Sequence, residues 1–124
     1  MVELHGNRLC GASVGDSGAW AIGETGIVDL TVRQPRRPLM GSGDAQPAAF
    51  GPVIERGRLL VASDGIFKYA KGEVLAACAL TGALEDAVSA VIDAVRLRNG
   101  KLQDDVAVVL CDLPERDPGR RRSV

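Results

Sequence analysis

Aspartates at three separate places in the chain have the residue type and setting of metal ligands. Each stands beside glycine or a second aspartate, where an apolar stretch begins or ends; they are Asp16, Asp64, and the pair Asp104 and Asp105. Carboxylates gathered at neighbouring strand ends repel one another unless a cation lies between them, and oxygen donors favour Mg²⁺ or Mn²⁺ over zinc. Asp-Gly and Asp-Asp are also common turn sequences. The pattern therefore predicts either a divalent cation site or turns that only flank strands.

The first half of the chain predicts strands that could position these aspartates. Its short apolar stretches are broken by Gly, Asp, Asn and Pro, which is typical of strands and tight turns. The predicted strands form two hairpins and one strand buried on both faces: Val2–Leu4 with Arg8–Val14 across His5-Gly6-Asn7, Ala19–Ile22 with Ile27–Val32, and Arg58–Ser63. The segment from Arg33 to about Pro47 is rich in proline and glycine and is predicted to be a surface loop.

The second half predicts helices, because its apolar residues recur at helical spacing. The predicted elements, in order, are a helix over Glu73–Leu80, a longer helix over Leu84–Arg98 ended by Asn99-Gly100, a buried strand over Val106–Leu110, and a flexible tail over Pro114–Val124. Strands first and helices later indicate an α+β fold. We therefore predict one domain over residues 1–113, followed by the tail.

Composition and charge exclude several classes of protein. The chain has 124 residues, of which 46% are hydrophobic and 25% charged, and this excludes a chain disordered throughout. Its 15 basic residues nearly balance 16 acidic ones and only 3% are aromatic, which argues against a nucleic-acid partner. No apolar run approaches the roughly 20 residues of a membrane span, so no membrane association is expected. Three cysteines without CxxC spacing predict buried, reduced thiols and a cytoplasmic location.

Three segments that contain the aspartates match a known set of motifs in their order. Residues 14–20, 59–67 and 104–109 read VGDSGAW, LLVASDGIF and DDVAVV. They resemble the patterns V-G-D-S-R-A-[YW], L-L-L-[AC]-[ST]-D-G-[LI]-[WF] and D-[ND]-[IVM]-[TSA]-V-[VI] of the PP2C (PPM-type) family. This family of metal-dependent protein serine/threonine phosphatases includes a bacterial branch. The resemblance covers the later portion of the catalytic domain, over roughly Leu4 to Leu113.

The resemblance implies a fold and a chemistry. The family folds as two antiparallel sheets packed as a sandwich and flanked by helices, so this chain would be a partial sandwich with two helices before its last strand. In the family, two bridged metal ions share a water or hydroxide that attacks the phosphorus of phosphoserine or phosphothreonine. Asp64 and Asp104 match two of the metal ligands, and Asp16 matches a ligand of an additional, weaker site. Asp105 and Gly65 would lie beside the ligands without holding the metal directly.

Departures from the family pattern bear on metal binding. The family's catalytic domain begins with an acidic segment and a D-G-x-G-G segment whose aspartate bridges the metals, and the resemblance places both before the start of this sequence. Gly18 replaces the family's arginine, and Lys68 stands where a carboxylate is usual. We therefore expect that Asp16 holds no metal, and that Asp64 and Asp104 bind at most one Mn²⁺ or Mg²⁺ ion, weakly.

Two functions from different classes are consistent with this pattern. The first is a PP2C-like phosphatase that acts on phosphoproteins and needs a complementing half for activity. The alternative is a catalytically inactive pseudophosphatase that binds a regulatory protein partner or a phosphoprotein. A third interpretation, a truncated reading frame, predicts an in-frame D-G-x-G-G segment in the upstream DNA. Because a sandwich cut through its sheets leaves open edges and an uncovered apolar face, we expect a homo-oligomer or a complementing polypeptide.

Overall fold

The computed structural model describes residues 1–6, 8–35, 41, 43–54 and 56–114, which form two antiparallel sheets packed face to face. The first sheet contains, from one edge to the other, β1 (Val2–His5), β2 (Arg8–Ser13) and β5 (Ala48–Ile54). The second contains β4 (Gly26–Asp29), β3 (Gly18–Gly23), β6 (Gly57–Ala62) and β7 (Val108–Leu113), in that order. Between β6 and β7 the chain forms α1 (Asp64–Phe67), α2 (Gly72–Ala79) and α3 (Leu84–Ala94). This architecture confirms the predicted α+β sandwich, but the single turn of α1 is a third helix in addition to the two that were predicted before the last strand.

Strand β6 separates two hydrophobic cores, because consecutive side chains of a strand point to opposite faces of the sheet. Leu59 packs between the two sheets, in a core that also contains Leu9, Ala19, Ala21, Leu30 and Leu113. Leu60 packs on the other face beneath the helices, in a core that also contains Ile66, Leu75, Val91 and Leu110. Burial on both faces explains the unbroken apolar sequence of this strand, as predicted.

Strand β5 is an element that the sequence did not indicate. Gly51 and Pro52 lie in its middle, and both residue types normally interrupt a strand. The strand accommodates them because it lies at the edge of the first sheet, where β2 is its one partner within the described residues. An edge position depends on the whole sheet, so the local sequence does not reveal it.

Strand β4 is shorter than predicted, since it ends at Asp29 rather than Val32. The Asp29 side chain accepts hydrogen bonds from the backbone N–H and from the hydroxyl of Thr31, each at 2.9 Å. An aspartate that bonds the backbone two residues later turns the chain. The strand therefore stops where this turn begins.

Strand β7 begins and ends later than the predicted Val106–Leu110. At its start, the N–H of Ala107 donates to Ser63 Oγ at 3.0 Å instead of to a strand carbonyl, so regular pairing begins at Val108. At its other end the strand extends to Leu113, because β6 offers a partner as far as its first residue. The predicted strand is thus present, displaced toward the end of the chain.

Helix α2 agrees with its prediction to within one residue at each end, whereas α3 ends at Ala94 instead of Arg98. After α3 the chain turns back, and Arg96 pairs with Leu102 in an isolated antiparallel bridge. Gly100, predicted to end the helix, lies in the turn between these two residues with a φ of 83°. The Asn-Gly signal is therefore a turn signal, but it belongs to this small hairpin.

Three further sequence predictions concern the cysteines, the loop and tail, and the absence of a membrane span. The cysteines Cys10, Cys78 and Cys111 are free but partly exposed, so the prediction that they are buried is wrong. The described residues do not include Asn7, residues 36–40 and 42 of the predicted loop, or residues 115–124 of the predicted tail. None of the helices in the described ranges has the length and hydrophobicity that crossing a bilayer requires.

Arg58 joins the end of α2 to the second sheet. Its guanidinium donates to the carbonyls of Ala79, at 3.0 Å, and Gly82, at 2.6 Å, and to Asp112 Oδ1 at 2.9 Å. The side chain is only 12% exposed, and a cation stabilises the C-terminal end of a helix. We expect Arg58→Ala to lower the free energy of unfolding by about 1–2 kcal/mol in urea denaturation, because the carbonyls of Ala79 and Gly82 lose a charged donor.

Arg98→Ala is the matched control for this prediction, since Arg98 is exposed at the surface beyond α3. Surface substitutions of this kind change stability by less than about 0.5 kcal/mol. Equal stabilities of the two variants would contradict the proposed role of Arg58.

Candidate metal site

The three predicted aspartate segments lie at one end of the second sheet, where its strands begin or end. At this end β3 begins, β6 ends and β7 begins, and the residues aligned across the three strands are Gly18, Ala62 and Val108. Asp16 lies two residues before the start of β3, Asp64 two residues after the end of β6, and Asp104 four residues before β7. The topology therefore brings together residues that are far apart in the sequence.

The segment that carries Asp104 packs directly against the first turn of α1. The N–H of Ser63 donates to the carbonyl of Ala107 at 3.0 Å, and the N–H of Ala107 donates to Ser63 Oγ at 3.0 Å. A Cβ atom on Gly65 would lie 2.7 Å from the Asp105 carbonyl oxygen and 3.4 Å from the Asp104 Cβ. Only glycine permits this approach, which explains why glycine follows Asp64 in the motif.

The carboxylates at this end of the sheet differ in their exposure to solvent. Asp64 is half-buried at the first position of α1, whereas Asp104 and Asp105 are exposed in the segment before β7. One oxygen of the Asp104 carboxylate accepts the Asp105 N–H at 2.8 Å, which fixes the direction of this side chain. The two segments that carry Asp64 and Asp104 are therefore adjacent in the structure.

These donors fit a divalent cation in type but not in number. Carboxylate oxygens are the ligands that Mg²⁺ and Mn²⁺ prefer, and six ligands are usual for such ions. Within the described ranges, no three His, Cys, Asp or Glu side chains approach closely enough to form a metal-binding group. The side chains of Asp64 and Asp104 alone therefore supply fewer ligands than such an ion needs.

Asp16 lies in an exposed bend before β3. The bend is tied to the following loop, since Gly15 N–H donates to the Pro35 carbonyl at 2.7 Å and the Gln34 side-chain amide donates to the Ser17 carbonyl. An open pocket of about 310 Å³ extends from Asp16 along Trp20 and Phe67. That Asp16 holds no metal stays a prediction.

The aromatic residues that end the first two motif segments contact each other beside the candidate site. Phe67, on α1, and Trp20, on β3, pack with ring centroids 4.5 Å apart. A Cβ atom on Gly18 would lie 2.6 Å from Phe67 Cε2, so the ring occupies the space beside the glycine. The replacement of arginine by glycine at position 18 is the signal that could have indicated this contact. Lys68, the other departure from the motif, is exposed, with its Nζ 5.7 Å from the ring centroid of Tyr69.

Solved structures of PPM-type serine/threonine phosphatases are similar to this chain. MsPP from Mycobacterium smegmatis, in complex with cacodylate, matches with 22% identity and a TM-score of 0.68, over 85% of this chain and 56% of that chain. PstP/Ppp from Mycobacterium tuberculosis matches with 19% identity and a TM-score of 0.76, over 92% and 58%. The phosphatase domain of SpoIIE from Bacillus subtilis matches with 16% identity and a TM-score of 0.61, over 95% and 58%.

These similarities show the fold. No protein-family model and no curated protein matches the sequence. The chain spans 56% to 58% of the length of the three matched chains. A further matched structure, the catalytic domain of PstP, is in complex with two manganese ions. The predicted resemblance to the PP2C family is therefore confirmed at the level of the fold, over a little more than half of the matched domains.

Proposed function

We propose that this chain, which has the fold of PPM-type serine/threonine phosphatases over part of their length, is the later portion of such a phosphatase. The proposal rests on one observation above all: the three aspartate segments lie at the same end of the second sheet. Phosphoserine or phosphothreonine in a protein would be the substrate, and another polypeptide would complete the domain. The free cysteines support a reducing compartment such as the cytoplasm.

Asp64 and Asp104 would hold a Mn²⁺ or Mg²⁺ ion with their carboxylates. Such an ion, when bound, activates water and stabilises negative charge on a phosphoryl group. Ser63 and Gly65 keep the two carboxylate segments adjacent, the first through its hydrogen bonds with Ala107 and the second by permitting close packing. The charge of Asp105, at the same end of the sheet, raises the local concentration of cations. Donors that the complementing polypeptide supplies would fill the remaining coordination positions.

The experiment that tests this proposal measures release of phosphate from a phosphoserine peptide. The chain is mixed with the part of Mycobacterium tuberculosis PstP that it does not match, expressed as a separate polypeptide. We expect phosphate release only when both polypeptides and Mn²⁺ are present, because each polypeptide alone provides an incomplete set of ligands. A stable complex of the two polypeptides that releases no phosphate with Mn²⁺ would contradict the proposal.

A pseudophosphatase is the second candidate function, and two observations favour it. Lys68 replaces a usual carboxylate, and the described residues contain no group of three metal-binding side chains. A pseudophosphatase would bind a phosphopeptide or a regulatory protein without turnover. Binding of the phosphoserine peptide that does not need metal, with no phosphate release from the complex, would select this function.

A further inference from the structure

The open pocket beside the candidate site combines carboxylates with aromatic rings. Its volume is about 310 Å³, and its lining includes Asp16, Asp29, Trp20 and Phe67. The two carboxylates attract positive charge, and the faces of aromatic rings attract organic cations in addition. A metal ion would use the carboxylates alone and an apolar group the rings alone. The combination therefore fits the charged end of a basic side chain.

Strand pairing positions Asp29 beside Trp20. The two residues lie directly opposite each other on β4 and β3, and the side chains of such a pair lie on the same face of the sheet. Asp29 Oδ1 accepts both hydrogen bonds from Thr31, and none of the described residues donates to its Oδ2. The Asp29 carboxylate is therefore fixed in place and keeps one oxygen for a further donor.

The described part of the chain supplies no cation to these carboxylates. Neither Asp16 nor Asp29 forms an ion pair within the described residues. Glycine stands at position 18, where the motif has arginine, and the Nζ of Lys68 lies 5.7 Å from the ring centroid of Tyr69, which is not part of the pocket. The charge of the pocket is therefore complementary to a cation from another molecule.

The pocket adjoins the candidate metal site through α1. Phe67 follows Asp64 by three residues in this helix, which corresponds to about 4.5 Å along its axis. An extended peptide advances about 3.5 Å per residue. If the phosphate of a substrate lies at Asp64, side chains within about three residues of the phosphoserine are therefore close enough to enter the pocket.

We propose that this pocket binds a lysine or arginine side chain that flanks the phosphoserine of the substrate. The inference rests on the proposed function and adds the substrate class, a phosphoprotein with a basic residue close to the phosphorylated one. The cation would lie against the rings of Trp20 and Phe67 and accept the negative charge of Asp16 and Asp29 as its counterpart. These four residues would determine specificity and would take no part in the chemistry at phosphorus.

Trp20 is the only tryptophan of the chain, so its fluorescence reports directly on the pocket. The probes are two phosphoserine peptides that differ only in having lysine or norleucine at the flanking positions. Norleucine keeps the apolar stem and lacks the charge. With the full chain, the lysine peptide is expected to change the Trp20 emission and to bind about tenfold more tightly than the norleucine peptide.

The double variant Asp16→Asn with Asp29→Asn is expected to abolish this preference for lysine. Asparagine at position 29 keeps an Oδ1 acceptor for Thr31, so the turn after β4 is preserved. Asp86→Asn, an exposed position in the first turn of α3, is the matched control and keeps the preference. In the domain completed with the unmatched part of PstP, the lysine peptide is expected to have a KM about tenfold lower with kcat unchanged.

Four results would overturn the pocket: equal binding of the two peptides, a preference that the double variant retains, equal KM values in the completed domain, or Mn²⁺ binding that Asp16→Asn abolishes. Titration of the same samples with Mn²⁺ separates this inference from the proposed function. Mn²⁺ binding that depends on Asp64, without a preference for lysine, rejects the pocket alone. A preference for lysine without Mn²⁺ binding that depends on Asp64 rejects the proposed function alone.

Discussion

Asp64→Asn is expected to weaken Mn²⁺ binding by the isolated chain at least about tenfold and to abolish phosphate release by the completed domain. The substitution keeps the shape of the side chain and removes its charge, and a hard divalent cation binds a carboxylate far more strongly than an amide. Asp64 is half-buried at the start of α1, whereas Asp104 is exposed, so Asp64 is the less hydrated of the two carboxylates. Calorimetric titration of the wild type and the variant with Mn²⁺ measures both the affinity and the number of ions bound.

Asp86→Asn provides the matched control, because Asp86 is an exposed aspartate in the first turn of α3, outside the candidate site. Its Mn²⁺ titration is expected to equal that of the wild type, with one weakly bound ion per chain. Two tightly bound ions in the isolated chain would show that its donors are sufficient without a partner. Equal affinities for the wild type and Asp64→Asn would remove Asp64 from the site.

The position of the aspartates at the ends of strands could be predicted, because each sequence motif combines a candidate ligand with the strand that positions it. The apolar run before Asp64 is one example, since it predicts a central strand whose end presents the carboxylate. Asp104 and Asp105 are similarly tied to β7, although pairing begins two residues later than predicted. Local sequence thus contained both the residue type and the position of the residue at the end of a strand.

Other features depend on residues that are distant in the sequence, and no local pattern indicates them. Strand β5 tolerates Gly51 and Pro52 because, among the strands that the structure describes, it pairs only with β2. The contact between Gly18 and Phe67 joins β3 to α1, so it exists only once both elements are in place. From the sequence alone, glycine at position 18 is only the absence of the motif arginine. The structure shows that the Phe67 ring occupies the space beside this glycine.

Gly18→Arg, which restores the arginine of the PP2C motif, is expected to lower the free energy of unfolding by about 3 kcal/mol. The Cβ atom of the new residue would lie 2.6 Å from Phe67 Cε2. The ring cannot move aside freely, because it packs against Trp20 with ring centroids 4.5 Å apart. Its helix, α1, is held in turn by the hydrogen bonds between Ser63 and Ala107. Urea denaturation of the wild type and the variant measures the loss.

Two further variants test whether the cost arises from this contact. Gly72→Ala is the control for the smaller change Gly18→Ala, because a Cβ atom on Gly72 would make only ordinary contacts, the nearest at 3.5 Å to Trp20. Combining Gly18→Arg with Phe67→Ala removes the ring that the arginine meets, so the double variant should be more stable than the sum of the single losses implies. Strictly additive losses would refute the contact. Coupling between these positions would mean that Phe67, three residues after Asp64 on α1, occupies the space that an arginine at position 18 would need.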